Sequence, residues 1–289
     1  MMINPCLKRH VAVLGGDIAE RNVFRPSALR AAADYIVTEW RRHGYEVLRD
    51  GYPVNGVRCE NLSVTRLGSK DPANILLIGA HYDSVFGSPG ANDNGTGVAA
   101  LLEIARRFAA ISPACSVRFV AFVNEEPPFF MTANMGSRIY ARAARSRGDK
   151  IRLMVCLETI GCYRKEPGSQ QYPPLLRLFY PRTGNFIAFV SNFCSRRAML
   201  KAARTFRTHS DFPLQHLTGP SFIPGLAWSD HWSFWQEGYR AFMVTDTAFY
   251  RYPYYHTTQD TPDKIDYAPF SAVTDALYQT FAALAGQTK

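Results

Sequence analysis

The chain alternates short apolar segments with amphipathic helical segments, and this alternation constrains the fold more than any other feature. The apolar segments are NILLIGA, VRFVAFV, IRLMVCLE, FIAFVSN and AFMVTD. Strands that are apolar throughout are typical of a mostly parallel sheet with both faces covered. The sequence therefore predicts an α/β fold of three layers, in which a mostly parallel central sheet lies between helices.

The domain organisation follows from the length and from the absence of linkers. A chain of 289 residues could form one large α/β domain or two small ones. It shows no internal repeat, low-complexity segment or interdomain linker, so residues 1–289 are expected to form a single domain. Residues 1–50 form a mainly helical lead-in, with a helix over 26–44 that Ser27 can cap. The loops 163–185 and 209–233 are expected to shape the functional site.

Composition narrows the function classes. The formal net charge is +9, but the basic residues are scattered over amphipathic helical segments, which favours solvated helix faces over a nucleic-acid surface. No run of about 18 apolar residues occurs, so a transmembrane segment is not expected. A cytoplasmic location is favoured, and an exported protein whose signal has been removed is the alternative.

Cysteine spacing excludes some metal sites. The six cysteines contain no CxxC pair, which argues against a structural zinc ribbon or a thioredoxin-like motif. Cys156 and Cys162 lie close enough in the chain for a disulfide, and this pairing is left open.

Ionisable residues follow several of the predicted strands. In open α/β sheets, ligands bind beyond the carboxyl ends of the strands. Side chains that can bind metal or transfer protons occur at four strand ends, and they are His81, Asp93, Glu125, Glu126, Glu158 and His256. Converging carboxylates and imidazoles without a cation would repel one another or remain poorly solvated. The pattern therefore indicates a metal site.

The ligand types favour zinc. Histidines and carboxylates without cysteine suit Zn²⁺, although manganese or cobalt could use the same ligands. The neighbours Glu125 and Glu126 would point in different directions, so one can bind metal while the other acts as general base. Asp83, two residues after His81, can reach the far ring nitrogen and fix the tautomer.

Several motifs together resemble the co-catalytic zinc aminopeptidases of the bacterial leucyl aminopeptidase type. This family also contains glutaminyl cyclases and glutamate carboxypeptidase relatives. The resemblance covers about residues 56–268 and rests on GAHYDS, GANDNGTGVAALLEIAR, VAFVNEEPPFFMTANMGSRIYA, LETIGCY, SDHWSFW and YHTTQDTPDKIDY.

The resemblance implies roles for the acidic residues and histidines. Asp93 would bridge two zinc ions, one shared with His81 and Glu158 and the other with Glu126 and His256. Glu125 would be the general base. The peptide bond after Asp93 would be strained, and a cis bond is one form of this. Many members have Asp at the position of Glu158, so a site with one zinc ion is the alternative.

The predicted activity is zinc-dependent hydrolysis of the N-terminal peptide bond of peptides that have a free N-terminus. A glutaminyl cyclase with one zinc ion, which forms pyroglutamate by acyl transfer, is the alternative. An inactive binding module on the same scaffold is a remote one. By family position, Asp230 would lie beside the metals and His231 would be structural. Candidates for the substrate pocket are Trp228, Phe249, Tyr250, Tyr252 and Tyr254.

Overall fold

Eight strands form one mixed sheet in a computed structural model that describes residues 2–174 and 176–286. The strands are β1 Leu48–Val54, β2 Val57–Arg66, β3 Asp71–His81, β4 Cys115–Phe122, β5 Lys150–Glu158, β6 Ile187–Ser191, β7 Leu214–Thr218 and β8 Ala241–Thr245. The helices are α1 Pro5–Ala12, α2 Pro26–Arg42, α3 Gly97–Ala109, α4 Gly136–Arg147, α5 Arg196–His209, α6 His231–Gln236 and α7 Tyr267–Leu284.

The strand order places four parallel strands in the middle of the sheet. The order is β1-β2-β4-β3-β5-β8-β6-β7. The neighbours β4, β3, β5 and β8 run parallel to one another, whereas β1, β2 and β4 are joined by antiparallel pairing. At the other side, β6 is antiparallel to β8 and parallel to β7. The carboxyl ends of the four central strands therefore meet at one edge of the sheet.

Two hydrophobic cores cover the two faces of the sheet. Along β3, Leu76 and Ile78 belong to one core, and Ile75 and Leu77 belong to the other. This alternation follows from the two-residue period of a strand. The first core also takes in the buried sides of α1, α2, α3, α5 and α7, and the second takes in those of α4 and α6. The predicted three-layer arrangement is confirmed.

Two details differ from the sequence prediction. Residues 209–233 are not a continuous loop, because β7 lies within this range and α6 begins at His231. The strand β7 was missed because LQHLT is short and mostly half-buried at the sheet edge, so it lacks the apolar character of a central strand. Ser27 does not cap α2, since the helix already begins at Pro26 and Arg25 is the N-cap residue.

Among the helices of the described ranges, 2–174 and 176–286, the structure contains none that is both long and apolar enough to cross a bilayer.

Candidate metal centre

The four central strands bring the predicted ligands together. His81 and Glu158 are the last residues of β3 and β5, which are neighbours in the sheet. Glu125 and Glu126 follow the end of β4, on the other side of β3. His256 lies in the segment after β8. Because these strand ends share one edge, residues that are far apart in sequence converge there.

Asp93 lies between the two histidines. Its Oδ1 is 3.4 Å from Nε2 of His81, and its Oδ2 is 3.1 Å from Nε2 of His256. Each histidine also has a glutamate beside it. Oε2 of Glu158 is 3.3 Å from Nε2 of His81, and Oε2 of Glu126 is 3.2 Å from Nε2 of His256. The arrangement is two imidazole–carboxylate pairs joined by one carboxylate.

The turn at Asp93 has the geometry that the resemblance implied. The Asp93–Asn94 peptide bond is cis. The Asn94 side chain then holds the neighbouring backbone, because its Oδ1 accepts from the amides of Gly97 at 3.1 Å and Thr159 at 3.0 Å. Its amide group donates to the carbonyl of Leu157 at 2.8 Å. The turn is thereby attached to the end of β5, which carries Glu158.

Glu125 lies on the His81 side of the cluster, with its Oε2 3.9 Å from the histidine Nε2. The residue before it, Asn124, has a positive φ of 59°. This left-handed residue ends the extended backbone of β4, so that Glu125 and Glu126 leave the strand end in different directions. Oε2 of Glu126 lies 3.2 Å from Nε2 of His256, so the two neighbouring carboxylates lie beside different histidines.

Asp83 supports the site differently from the predicted contact. The Asp83 backbone carbonyl accepts a hydrogen bond from Nδ1 of His81 at 3.2 Å, while the Asp83 carboxylate lies 3.6 Å from the same nitrogen. The carboxylate instead accepts the backbone amides of Glu125 at 3.2 Å and Glu126 at 3.1 Å. Asp83 therefore orients the histidine through its backbone and the glutamate pair through its side chain.

Three supporting residues were not found from the sequence. Asp260 accepts the backbone amides of Asn92 at 2.8 Å and Asp93 at 3.0 Å. Ser229 donates a hydrogen bond to Oε2 of Glu158 at 2.6 Å. Tyr255 stacks on the His256 ring, with the ring centroids 3.9 Å apart. All three residues lie in motifs that carried the resemblance, Ser229 in SDHW and Tyr255 and Asp260 in YHTTQD, but no spacing in the chain identifies their partners.

Burial governs the protonation of the cluster. It raises the pKa of Glu125 and of Glu158, and it raises the pKa of Glu126 to about 7, with the charge of Asp93 adding to the effect. Burial also opposes ionisation of Asp93, but the two histidines outweigh it and lower that pKa. Burial alone would lower the pKa of His256, whereas the carboxylates of Asp93 and Glu126 raise it to about 10.

The donor set fits zinc. One donor atom from each of His81, Asp93 and Glu126 can be chosen so that all three lie within 4.8 Å of one another. In the described part of the chain, the buried Oε1 of Glu126 has no hydrogen-bond partner, and the buried Nε2 of His256 makes no hydrogen bond of good geometry although two carboxylate oxygens lie 3.1 and 3.2 Å away. Imidazole nitrogens and carboxylate oxygens are ordinary zinc ligands. A bound cation would satisfy these atoms and reduce the repulsion between the carboxylates.

A deep apolar pocket opens beside Glu158. The empty volume of the pocket, including the open space at its mouth, is about 820 Å³. Most of its wall is hydrophobic, and the residues that form it include Tyr172, Phe186, Ala188, Val190, Leu217, Ile223, Leu226, Trp228, Met243, Phe249, Tyr250 and Tyr255. Both segments that were predicted to shape the site contribute to this wall.

Three of the five predicted pocket aromatics line this pocket, namely Trp228, Phe249 and Tyr250. Tyr252 and Tyr254 do not. The Tyr252 ring is buried, and its hydroxyl donates to Oδ1 of Asp260 at 2.7 Å. Tyr254 lies at a separate surface depression beside Lys264, whose ammonium is 5.2 Å from the ring centre. The aromatic run bends after Tyr250, which the sequence alone does not reveal.

Asp230 and His231 lie at the start of α6 and are fully buried. Asp230 is near enough to His81 and Glu158 for their charges to act on it, and burial raises its pKa to about 7. Nε2 of His231 lies 2.9 Å from the carbonyl of Leu226. The His231 ring packs edge-on against the ring of Trp235 in the same helix. The contact with Leu226 attaches α6 to the segment before it, which forms part of the pocket wall.

Cys156 and Cys162 do not form a disulfide. Both are buried free thiols, and Sγ of Cys156 lies 3.1 Å from the hydroxyl of Ser229. Cys156 therefore packs behind the residue that holds Glu158.

The fold and this site define a metallopeptidase. A sequence profile of Peptidase family M28 matches residues 61–281, and the chain belongs to that family. The predicted class, a zinc metallopeptidase of the aminopeptidase family, is thereby confirmed. The chain is 36% identical over 280 residues to the uncharacterized protein YfbL of Escherichia coli, a match that covers 94% of this chain and 85% of YfbL.

Solved structures share the fold. The zinc aminopeptidase BSAP of Bacillus subtilis superposes with a TM-score of 0.78 at 14% identity, covering 97% of this chain and 94% of that one. A glutaminyl cyclase of Fimbriiglobus ruber superposes with a TM-score of 0.73 at 18% identity, covering 100% of this chain and 97% of that one. Relatives described as zinc metalloproteases or aminopeptidases match over 33% of their own length or less.

Proposed function

We propose that this protein is an aminopeptidase with two zinc ions, built on a single domain formed by residues 1–289. The observation that carries the proposal is the orientation of Asp93, whose two oxygens face different imidazole–carboxylate pairs. His81, Glu158 and Asp93 would hold one ion. His256, Glu126 and Asp93 would hold the other.

The chemistry divides between the ions and Glu125. Zinc, when bound, supplies positive charge that polarises a carbonyl group and lowers the pKa of water. The Glu125 carboxylate makes no hydrogen bond to Asp93, and its Oε2 lies 3.9 Å from Nε2 of His81. This position, beside the proposed ligands, suits a residue that carries a proton. Glu125 would take a proton from the attacking water and return it to the departing amine. Asp83 holds the Glu125 amide and thereby fixes the start of this side chain.

The apolar pocket supports a preference for large hydrophobic N-terminal residues. Because Glu158 belongs to both the ligand cluster and the pocket wall, a side chain in the pocket would hold the first peptide bond near the cluster. The walls of the pocket are mostly aliphatic and aromatic, so charged side chains would lose hydration there without a partner. We expect peptides that begin with Leu, Met or Phe to be preferred over those that begin with Asp or Lys.

The test combines metal analysis with product analysis. We expect about two zinc ions per chain and release of the free N-terminal amino acid from Leu-, Met- and Phe-initiated peptides. Glu125→Gln should retain zinc and lose at least about 100-fold in kcat. Glu46→Gln, the same change at an exposed position before β1, is the matched control and should retain full activity.

The same assay separates the alternatives. Gln-initiated peptides belong in the panel, because a pyroglutamyl product with one zinc ion per chain would identify a cyclase. Zinc binding without turnover of any peptide would identify an inactive module. Either result would overturn the aminopeptidase proposal.

A further inference from the structure

Arg21 is a fully buried arginine that lies outside the predicted ligand set. Its guanidinium nitrogens lie within hydrogen-bond distance of five acceptors, all of them backbone carbonyls, and Nη1 shares its two N–H groups among three of these. Three of these carbonyls belong to the loop between His81 and Asp93, namely Tyr82 at 2.6 Å, Pro89 at 2.7 Å and Gly90 at 2.8 Å. The other two, Leu14 and Ala19 at 3.0 Å each, lie in the N-terminal segment.

The backbone of the same segment is paired with this loop. The amide of Arg21 donates to the hydroxyl of Ser84 at 3.1 Å, and the amide of Ser84 donates to the carbonyl of Arg21 at 3.0 Å. The side chain of Asn22 donates to the carbonyl of Ser84 at 3.1 Å. Residues 14–22 therefore hold both ends of the 82–90 loop.

The contact at Gly90 leads directly to the bridging ligand. Gly90 has a positive φ of 64°, and a Cβ added there would lie 2.5 Å from the carbonyl oxygen of Asp93 and 3.2 Å from Nη2 of Arg21. The Gly90 carbonyl also accepts the amide of Gly95 at 3.1 Å. The turn that presents Asp93 is thus packed on the peptide unit that Arg21 holds.

A lysine could not replace these contacts. The planar guanidinium carries five donors in a fixed fork, whereas an ammonium has three donors on a flexible stem. Burial lowers the pKa of Arg21 to about 10, and the charges of Asp260, Asp83 and Asp93 act against that change. The side chain is therefore a cation at neutral pH. It is surrounded by backbone carbonyl oxygens, and the nearby carboxylates add negative charge.

We propose that Arg21 is a positioning residue of the zinc centre, whose planar guanidinium fixes the loop between His81 and Asp93 through its contacts with the carbonyls of Tyr82, Pro89 and Gly90. Arg21 precedes the region that the family profile matches, residues 61–281. The N-terminal segment would then contribute to the structure of the zinc site. This inference rests on the proposed zinc centre, so its test must separate the two.

The primary variant is Arg21→Lys, because it keeps the positive charge and removes the fork of donors. A neutral substitution would also remove repulsion between Arg21 and zinc, and this would offset the effect of a loosened loop. We expect Arg21→Lys to weaken zinc binding by about 10- to 100-fold, the range typical of residues that support metal ligands. Affinity is measured by competition with a chromophoric chelator.

A second readout uses the zinc-free protein. Hydrogen exchange of the backbone amides in 82–90 should be about tenfold faster in Arg21→Lys, while α7 keeps its protection. Asn22→Ala is the milder variant, since it removes one hydrogen bond to the same loop and changes no charge. It should shift zinc affinity in the same direction by several-fold, and it serves if Arg21→Lys does not fold.

Leu277→Ala is the control for general destabilisation. Leu277 is a fully buried residue of α7, so its truncation leaves a cavity in the core and lowers stability without touching the loop. It should lower the melting temperature and leave zinc affinity unchanged. If Arg21→Lys behaves like Leu277→Ala, Arg21 is merely structural and the inference is wrong. If the wild-type protein binds no zinc, the proposed centre itself fails.

Discussion

The Asp260 carboxylate accepts the backbone amide of Asp93 at 3.0 Å through its Oδ2. Its Oδ1 accepts the amide of the preceding residue, Asn92, at 2.8 Å. A carboxylate 167 residues further along the chain thus holds both amides of the turn that carries Asp93, the proposed bridging ligand. This contact links the segment after β8, where His256 lies, to the turn before α3.

Asp260→Asn should loosen the bridging ligand. An amide side chain has one oxygen, so one of the two backbone amides would face an NH₂ group and lose its acceptor. We expect zinc affinity to fall by about 10- to 100-fold, with a similar loss of kcat/KM at limiting zinc. Chelator competition and peptidase assays at several zinc concentrations measure both quantities.

Tyr252→Phe is the matched control for that substitution. It removes the hydroxyl that donates to Oδ1 of Asp260 and leaves both amide contacts in place. We expect a stability loss of about 1 kcal/mol and a zinc affinity within about threefold of the wild-type value. Equal zinc affinity in Asp260→Asn and the wild type would show that the turn holds Asp93 without Asp260.

The convergence of the predicted ligands could be expected from the sequence because it depends on local features. His81 and Glu158 end apolar runs that had to be central strands, and parallel strand ends meet at one edge. The contacts of Arg21, Ser229 and Asp260 join segments about 60 to 170 residues apart, and no periodicity encodes such a pairing. Tyr252 looked like its neighbours in an aromatic run, but the backbone turns after Tyr250 and buries it against Asp260.

Ser229→Ala tests the support of Glu158. The Ser229 hydroxyl donates to Oε2 of Glu158 at 2.6 Å. Its removal leaves this buried carboxylate without that hydrogen bond, and the glutamate side chain has one more rotatable bond than aspartate. We expect one of the two zinc ions to bind about tenfold more weakly while the other is retained. A zinc titration followed by calorimetry resolves the two events.

The control for this variant is Ser233→Ala. Ser233 lies in α6, and its hydroxyl contacts Ser137 and the sulfur of Met135, neither of which is a predicted ligand. Its titration should match that of the wild type. Two unchanged binding events in Ser229→Ala would contradict the assigned role of the serine.

Ala188→Leu should narrow the specificity of the apolar pocket. Ala188 is a buried residue of β6 on the pocket wall, and three further carbon atoms would occupy space that a substrate side chain needs. For Leu- and Phe-initiated peptides we expect kcat/KM to fall about tenfold or more, by a loss of about 1.4 kcal/mol in transition-state binding. Ala-initiated peptides, which do not reach into the pocket, are the internal control and should change less than about threefold. A uniform loss across all peptides would place the N-terminal side chain elsewhere.

His10 should make the zinc-free protein less stable in acid. The residue is buried in α1, with Nδ1 2.7 Å from the hydroxyl of Tyr35, and burial lowers its pKa to about 4. The unfolded chain has a histidine pKa of about 6.5, so below that pH the unfolded state binds a proton that the native state does not. The contribution of His10 to the free energy of unfolding is complete above pH 6.5. It decreases as the pH falls towards 4, by about 3 kcal/mol in total.

The measurement compares urea unfolding of the wild type and of His10→Gln from pH 8 to pH 4, both in chelator so that zinc release does not contribute. Glutamine can still contact Tyr35 but takes up no proton. We therefore expect the variant to lose less stability than the wild type between pH 6.5 and 4, with parallel curves above pH 7.5. Curves that remain parallel down to pH 4 would show that His10 is protonated in the native state, contrary to its burial beside Tyr35.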